Sequence, residues 1–432
     1  MDNNTDIKKL VEELKKEEII EKYYEKDYSS LGLKFNPFPV AGLPRYPLPP
    51  LDDEVSEKIS HFIRSTYTRE EYGGLAIVGE FGMGKTHLMK YIQFLIDELT
   101  RHKEIDFTAV TCFIDRPEDT PQKVIHKVVE EIGLDNIRKY IWKILIDKFE
   151  EDKAFYEKFR SKGTLLLQSK EEWDNLFEEP VKSNYLEFLK RFRDVGGNFK
   201  KLQEHARDII KEEIVRDSAL ADRYLNLILF AEEKEADVSW DILAGYISKK
   251  DVQRKEIMFL RSIVEILRRV GFKQLYVFID EFEDISLLKG ARLTNYLLTL
   301  NTLINRERKW AVTVSLTENT LKIIKEKSPP LYDRLTSYEV ILRPLNEEKS
   351  KKLLINYLNL ARERDEDSFS PFSEESIKEM FRISRGNYRS FILLAHNAIE
   401  VALNENKELI DKEIIERAKR LRHETETYDI SG

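Results

Sequence analysis

Cysteine is almost missing from this sequence: Cys112 is the single one in 432 residues. No disulfide can form within the chain, and no thiolate cluster can hold a metal. A reducing, cytoplasmic location is the expectation that follows. Long apolar runs are missing too. No stretch approaches the roughly 18 consecutive apolar residues that a membrane-spanning helix needs. The opening MDNNTDIKKLVEELKKEE has no apolar signal core, so no membrane partner is expected. Histidine is scarce, at 7, and shows no ligand spacing such as H-E-x-x-H. No serine, cysteine or threonine sits in a nucleophile elbow. Positive charge is not in excess either. The 71 Lys and Arg face 79 Asp and Glu, a formal net charge of -8. A global field attracting nucleic acid is excluded, whereas a local basic patch is not.

What is present is a globular composition, 41% hydrophobic and 35% charged, at a length suited to two or three domains. Residues 1–51 read as a charged helix, with Ile7, Leu10, Val11 and Leu14 on one face, followed by a proline-rich extended segment. Pro37, Pro39, Pro44, Pro47, Pro49 and Pro50 exclude a long helix or a central strand there. Residues 52–135 alternate helix, strand, helix, strand and helix, the rhythm of a parallel sheet. Leu75–Val78 and Phe107–Ile114 are its first two strands. Over 136–250 only helical spacing occurs, as in Ile137, Tyr140, Ile141, Ile144, Leu145 and Phe149. This predicts an all-helical insertion, a docking surface for a protein partner. Residues 251–345 resume the alternation, with strands at Leu275–Ile279, Trp310–Leu316 and Glu339–Leu342. Residues 346–432 read as helix throughout.

Gly79-Glu80-Phe81-Gly82-Met83-Gly84-Lys85-Thr86 fits G-x-x-x-x-G-K-[ST]. It follows the apolar run Leu75-Ala76-Ile77-Val78 and opens an amphipathic helix. Glycines let successive N–H groups point into one concavity around phosphates. The helix that follows presents its positive end to the same anion. Lys85 can reach the β and γ phosphates of ATP, and Thr86 can place its hydroxyl on Mg²⁺. His87, one residue on, is grouped with this nucleotide-binding stretch as a packing or capping side chain. Asp280 and Glu281 end the strand LYVFID, where open α/β sheets bind ligands. Asp280 is the candidate Mg²⁺ ligand. Glu281 is the candidate base for the attacking water. Glu283 and Asp284 read as turn or cap residues. The basic stretches RRVGFK and INRERK read as solvated helix ends.

In this combination the chain resembles the AAA+ ATPases, over about 52–135 and 250–400. GEFGMGKT is similar to the Walker A motif and LYVFIDE to the Walker B motif. WAVTVSLTEN resembles the strand ending in the sensor-1 polar residue, with Thr317 as first match and Ser315 as second. LYDRLTSYEVILRPLNEEKSKKLL resembles the segment carrying the arginine finger in the archaeal replication-initiator branch, which matches Arg334. ISRGNYRSFILLAHNAI is similar to the sensor-2 helix of the lid, which matches Arg389. A guanidinium stabilises charge on a transferring phosphoryl group with several fixed donors. Within AAA+ proteins the resemblance is to the initiator-like branch, of archaeal origin-recognition type, and to transposition-regulator and phage-defence ATPases. GLKFNPFPVAG resembles a segment that lies near the adenine in several of them. About 30 residues follow the lid helix ending near Leu403, too few for the winged-helix DNA reader of initiators.

The fold expected is therefore α/β: a P-loop NTPase core with a five-stranded parallel sheet, a large all-helical insertion and a C-terminal helical lid. The resemblance implies a Mg²⁺-dependent ATPase with ATP as cofactor. It implies a homo-oligomer joined through Arg334 that remodels or loads a partner, with DNA as an open candidate. The rival expectation is a slow nucleotide-dependent switch or scaffold that recruits an effector in a defence or regulatory system. Glu281 and both arginines favour the enzyme. The large insertion and the acidic balance favour the scaffold.

Overall fold

The computed structural model of the chain describes residues 26–39, 47–69, 72–102, 104–161, 170–229, 252–307 and 309–428. The helix expected over 1–28, the middle of the proline segment and the end of the insertion lie wholly or partly outside these residues. The chain divides into two compact units. One comprises Met1–Glu57, Val78–Tyr91 and Ile341–Gly432, the other Lys58–Ile77 and Ile92–Val340.

The second unit contains the sheet. In chain order the elements run α1 (Asp53–Arg69), β1 (Gly73–Val78), α2 (Lys85–Arg101), β2 (Ala109–Ile114) and α3 (Pro121–Ile132). After the insertion come α10 (Val252–Arg269), β3 (Gln274–Ile279), α11 (Ala291–Arg306), β4 (Trp310–Leu316), α12 (Glu318–Lys327), α13 (Pro329–Leu335) and β5 (Tyr338–Ile341). Every residue of β1, β3 and β4 is buried. That is why these strands read as unbroken apolar runs: a parallel sheet is covered on both faces, so no alternation survives. The strand order is β2-β3-β4-β1-β5 in a parallel sheet. Ala109 lies opposite Gln274, and Leu275 opposite Trp310. Cys112 is fully buried in β2, its thiol directed at the Val128 carbonyl at 3.7 Å. Burial pushes its ionisation far above the ordinary thiol value.

The insertion is helical among its described residues: α4 (Leu134–Glu151), α5 (Phe155–Phe159), α6 (Lys170–Asp174), α7 (Tyr185–Asp194), α8 (Phe199–Glu213) and α9 (Ser218–Leu229). Extended pairing there is one isolated bridge between Arg160 and Gly197. The break that opens it falls at Gly133, whose φ of 83 ends α3 and starts α4. Residue 136, the boundary expected from sequence, lies inside α4. Trp142, Phe149, Phe155, Trp173, Phe188 and Phe192 are buried together. Trp142 and Phe188 sit 5.1 Å apart, edge to face, so the insertion has an aromatic core of its own.

The first unit comprises the helical lid, α14 (Glu347–Ala361), α15 (Glu374–Ser384), α16 (Tyr388–Asn404) and α17 (Lys412–Tyr428), the described ends of the proline-rich segment, and Val78–Tyr91, the loop after β1 with the start of α2. Leu31, Leu33, Phe38 and Leu48 enter the same core as Leu354, Tyr357, Phe372 and Phe391. The segment is extended because its prolines forbid helix, and its carbonyls and amides find partners on α16. His396 Nδ1 meets the Phe38 carbonyl at 2.7 Å, and Asn36 Nδ2 donates to the His396 carbonyl at 3.2 Å and to Glu400 at 2.9 Å. The prolines thus strap the lid.

Candidate nucleotide site

In the first unit, the chain leaves β1 at Val78 and turns through Gly79–Gly84 before α2 opens at Lys85. Met83 N–H donates to the Glu80 carbonyl at 3.3 Å, closing a four-residue turn. Its third residue, Gly82, has φ of 78, the left-handed value that a type II turn demands of glycine. Gly84 has φ of 88, and a Cβ there would project into open space, with no atom within 4 Å. A loop with open space at that glycine suits a phosphate. Lys85 is buried, 8% exposed, and its ammonium donates to the Gly79 carbonyl at 3.0 Å, across the mouth of the loop. Thr86 is the second residue of α2.

His87 does not face the loop. Its Nε2 lies 2.9 Å from the Leu48 carbonyl and 3.1 Å from the Leu48 amide. Burial lowers its pKa from the ordinary histidine value. It ties the start of α2 to the proline strap through Leu48.

The first turn of α16 reaches the same loop. Asn387 caps the helix, its Oδ1 accepting from Ser390 N–H at 3.0 Å, while its Nδ2 donates to the Phe81 carbonyl at 2.8 Å. Arg389 N–H donates to the Gly82 carbonyl at 3.0 Å. The Arg389 guanidinium stands over the Phe81 ring, 5.5 Å from its centroid. Phe81 is 72% exposed, so the ring serves that cation and no core.

The second unit holds the acidic strand end. Asp280 is buried, and its amide extends the β2–β3 ladder by donating to the Ile114 carbonyl at 2.8 Å. Ser315, fully buried in β4, donates its hydroxyl to the Asp280 carboxylate and accepts from Glu281 N–H at 2.9 Å. Thr317, ranked first from sequence, instead caps α12: its Oγ1 accepts from Thr320 N–H at 3.3 Å. The hydroxyl that reaches the acidic pair is that of Ser315, which lies within β4 beside the end of β3, whereas Thr317 lies beyond β4 and its hydroxyl is turned to the first turn of α12.

Glu281 adopts φ of 45. A non-glycine residue in that region costs of order 1 kcal/mol, and such outliers cluster at functional sites. Its carboxylate pairs with Arg116 Nε at 3.2 Å, and Asp284 lies 4.0 Å from the same atom. Arg116 follows β2, and its loop is fastened where Tyr296 donates to the Pro117 carbonyl at 2.7 Å. Sequence reading passed over Arg116, although the rule that singles out residues at the carboxyl ends of strands applies to β2 as it does to β3. Arg334 lies half-buried in α13, beside Tyr72, and makes no ion pair among the described residues. Its carbonyl packs so tightly on β1 that a Cβ at Gly74 would meet it at 1.9 Å.

A parallel sheet in the order β2-β3-β4-β1-β5, a glycine loop between β1 and its helix, an acidic pair after β3 and a helical unit after β5 complete one plan. The fold is a parallel five-stranded α/β fold with a glycine loop after its first strand. Three solved structures are similar to the chain at low identity. The Aeropyrum pernix ORC2 protein, as ADPNP–ADP complexes, matches with a TM-score of 0.47 and 12% identity, over 87% of this chain and 69% of that one. The Aeropyrum pernix ORC1 protein in complex with DNA matches at 0.43 and 11%, over 88% and 68%. Cdc6p from Pyrobaculum aerophilum matches at 0.42 and 11%, over 88% and 69%. No protein-family model and no curated protein matches the chain. Likeness at this level assigns no activity to the chain. Among the described residues no group of three or more His, Cys, Asp or Glu is placed to hold a metal. Magnesium on a nucleotide needs only one or two protein ligands. Among them, too, no helix is long and apolar enough to cross a membrane.

Proposed function

We propose that this chain is a Mg²⁺-dependent ATPase that works as a homo-oligomer and remodels or loads a partner on DNA. The observation that carries the reading is the loop Gly79–Thr86: left-handed glycines, open space at Gly84 and a buried Lys85 at the start of a helix. The donor set fits a nucleotide phosphate: backbone N–H groups, one ammonium and one hydroxyl. Lys85 takes the β and γ phosphates, and Thr86 and Asp280 take the metal. Bound Mg²⁺ neutralises charge on the phosphates.

The remaining roles belong to this chain's own residues. Glu281 orients and deprotonates the attacking water. Ser315 fixes Asp280 and the Glu281 amide, the part that the resemblance gave to Thr317. Arg116 ties the Glu281 carboxylate, which makes turnover depend on whether that ion pair is broken. Arg389 approaches phosphate from the lid. Arg334, without a carboxylate partner among the described residues, is the finger offered to a neighbouring copy, and a finger supplied in trans is worth on the order of 10³–10⁵ in rate. The insertion, with a core of its own, is the docking element for a protein partner.

The test is ATP turnover against protein concentration, with and without duplex DNA. Turnover per chain that rises with concentration and collapses in Arg334→Ala supports a site shared between copies. Tight ATP binding with turnover near zero under every condition would sink the motor and leave a switch.

A further inference from the structure

We propose that Asn387 is a positioning residue for nucleotide binding, which sets the direction of the Phe81–Gly82 peptide in the phosphate loop. This rests on reading Gly79–Thr86 as a phosphate cradle. In a planar trans peptide the C=O and the N–H point in opposite directions. Whatever fixes the Phe81 carbonyl therefore fixes the Gly82 N–H on the other side. This peptide is the central one of the turn closed by Met83 N–H and the Glu80 carbonyl. A type I and a type II turn differ by a flip of that unit, so the turn bond alone leaves its direction open. Asn387 Nδ2 donates to the Phe81 carbonyl at 2.8 Å and closes that choice.

A second observation agrees. A Cβ at Gly82 would lie 2.6 Å from both Nδ2 and Oδ1 of Asn387. The amide group lies flat against the glycine, in space that no other residue type would leave. Both ends of the amide are used, Nδ2 on the loop and Oδ1 on Ser390 N–H, so the side chain has one orientation. The lid helix and the loop are joined through a single side chain with two separable jobs, a cap and a tether.

Those jobs divide by substitution. Asn387→Ser keeps an oxygen for Ser390 N–H and loses the donor that reaches Phe81. The probe is a fluorescent ATP analogue, and its ADP counterpart, titrated into the full chain, with melting temperature measured alongside. Asn387→Ser is expected to weaken both nucleotides about tenfold, the worth of one lost hydrogen bond, and to melt slightly lower for the loss of that bond. Asn387→Ala is expected to match that loss of affinity and to melt lower than Asn387→Ser, because the cap goes as well. Unchanged affinity in Asn387→Ser, alongside abolished binding in Lys85→Ala, overturns the proposal and leaves the cradle standing. Unchanged affinity in Lys85→Ala overturns the cradle, and the proposal with it.

Discussion

The glycine loop and the acidic strand end are held by opposite means. The loop gets its shape from glycines that accept left-handed φ at little cost, Gly82 and Gly84, and its carbonyls are fastened from outside by Asn387 and Arg389. The strand end has no glycine. Glu281 takes a left-handed φ of 45 with a full side chain and is restrained by Ser315 on its amide and Arg116 on its carboxylate. A phosphate cradle needs a backbone that bends freely. A base needs a side chain held in one place, and strain is tolerated to obtain it. The difference teaches where to look for each kind of residue: local spacing for the loop, distant partners for the carboxylates.

The sharpest way to break this comparison is to remove the central group on each side. Lys85→Ala should abolish detectable ATP binding, because it deletes a buried cation facing the phosphates. Glu281→Gln should leave binding within a few-fold and cut turnover by about 10²–10⁴, the span of general-base catalysis. Isothermal titration and a phosphate-release assay separate the two; equal losses of binding in both variants would erase the division of labour.

Ser315 and Thr317 sharpen it further. Ser315→Ala should lower turnover by at least tenfold, since Asp280 loses a buried hydroxyl worth about 1–3 kcal/mol. Thr317→Ala should leave turnover alone and lower stability by about 1 kcal/mol, the cost of a helix cap. Steady-state rates and denaturant melts decide it, and a Thr317→Ala enzyme with crippled turnover and intact stability would restore the reading made from sequence. Smaller effects come from Phe81 and Arg389. Phe81→Leu should weaken ATP about two- to fivefold, the size of an exposed cation–π contact. Added to Arg389→Ala it should cost nothing more, a non-additivity that a double-mutant cycle reads directly.

The smallest concerns pH. Burial holds His87 neutral in the folded state by lowering its pKa, so the unfolded chain binds the proton more readily. Its contribution is fully present above the unfolded value of about 6.5 and is lost as pH falls towards the lower, folded one. His126 and His205 shift the same way for the same reason and share the slope. His87→Gln should therefore flatten the fall in melting temperature below about pH 6.5 in part. An unaltered slope would free His87 from the strap.

Much of the fold was legible because buried parallel strands announce themselves as apolar runs. Leu75–Val78 and Trp310–Leu316 fall within or on β1 and β4 as they stand. The second strand begins at Ala109 rather than Phe107, because Phe107 N–H turns back to the Ile105 carbonyl at 2.7 Å and no ladder forms there. Of the candidate site, the loop was legible because its geometry is made by adjacent residues. Arg116 and Asn387 were not, because neither carries a pattern of its own. Arg116 matters through a carboxylate 165 positions away, and Asn387, an ordinary helix cap by sequence, through a carbonyl 306 positions away. The bond from Ser315 to Asp280 was not legible for a related reason: spacing along one strand cannot show which hydroxyl a neighbouring strand will meet.

The buried thiol of Cys112 makes the protein a ready subject for site-directed labelling. Its only sulfhydryl is sealed in β2 and resists ionisation, and maleimides and iodoacetamides react with the thiolate. A cysteine introduced at Leu287, 74% exposed in the sheet-bearing unit, and another at Leu409, 57% exposed in the lid, would each take a dye with no background from the native residue. An environment-sensitive dye at either position reports on its own unit alone, and no native cysteine has to be removed first.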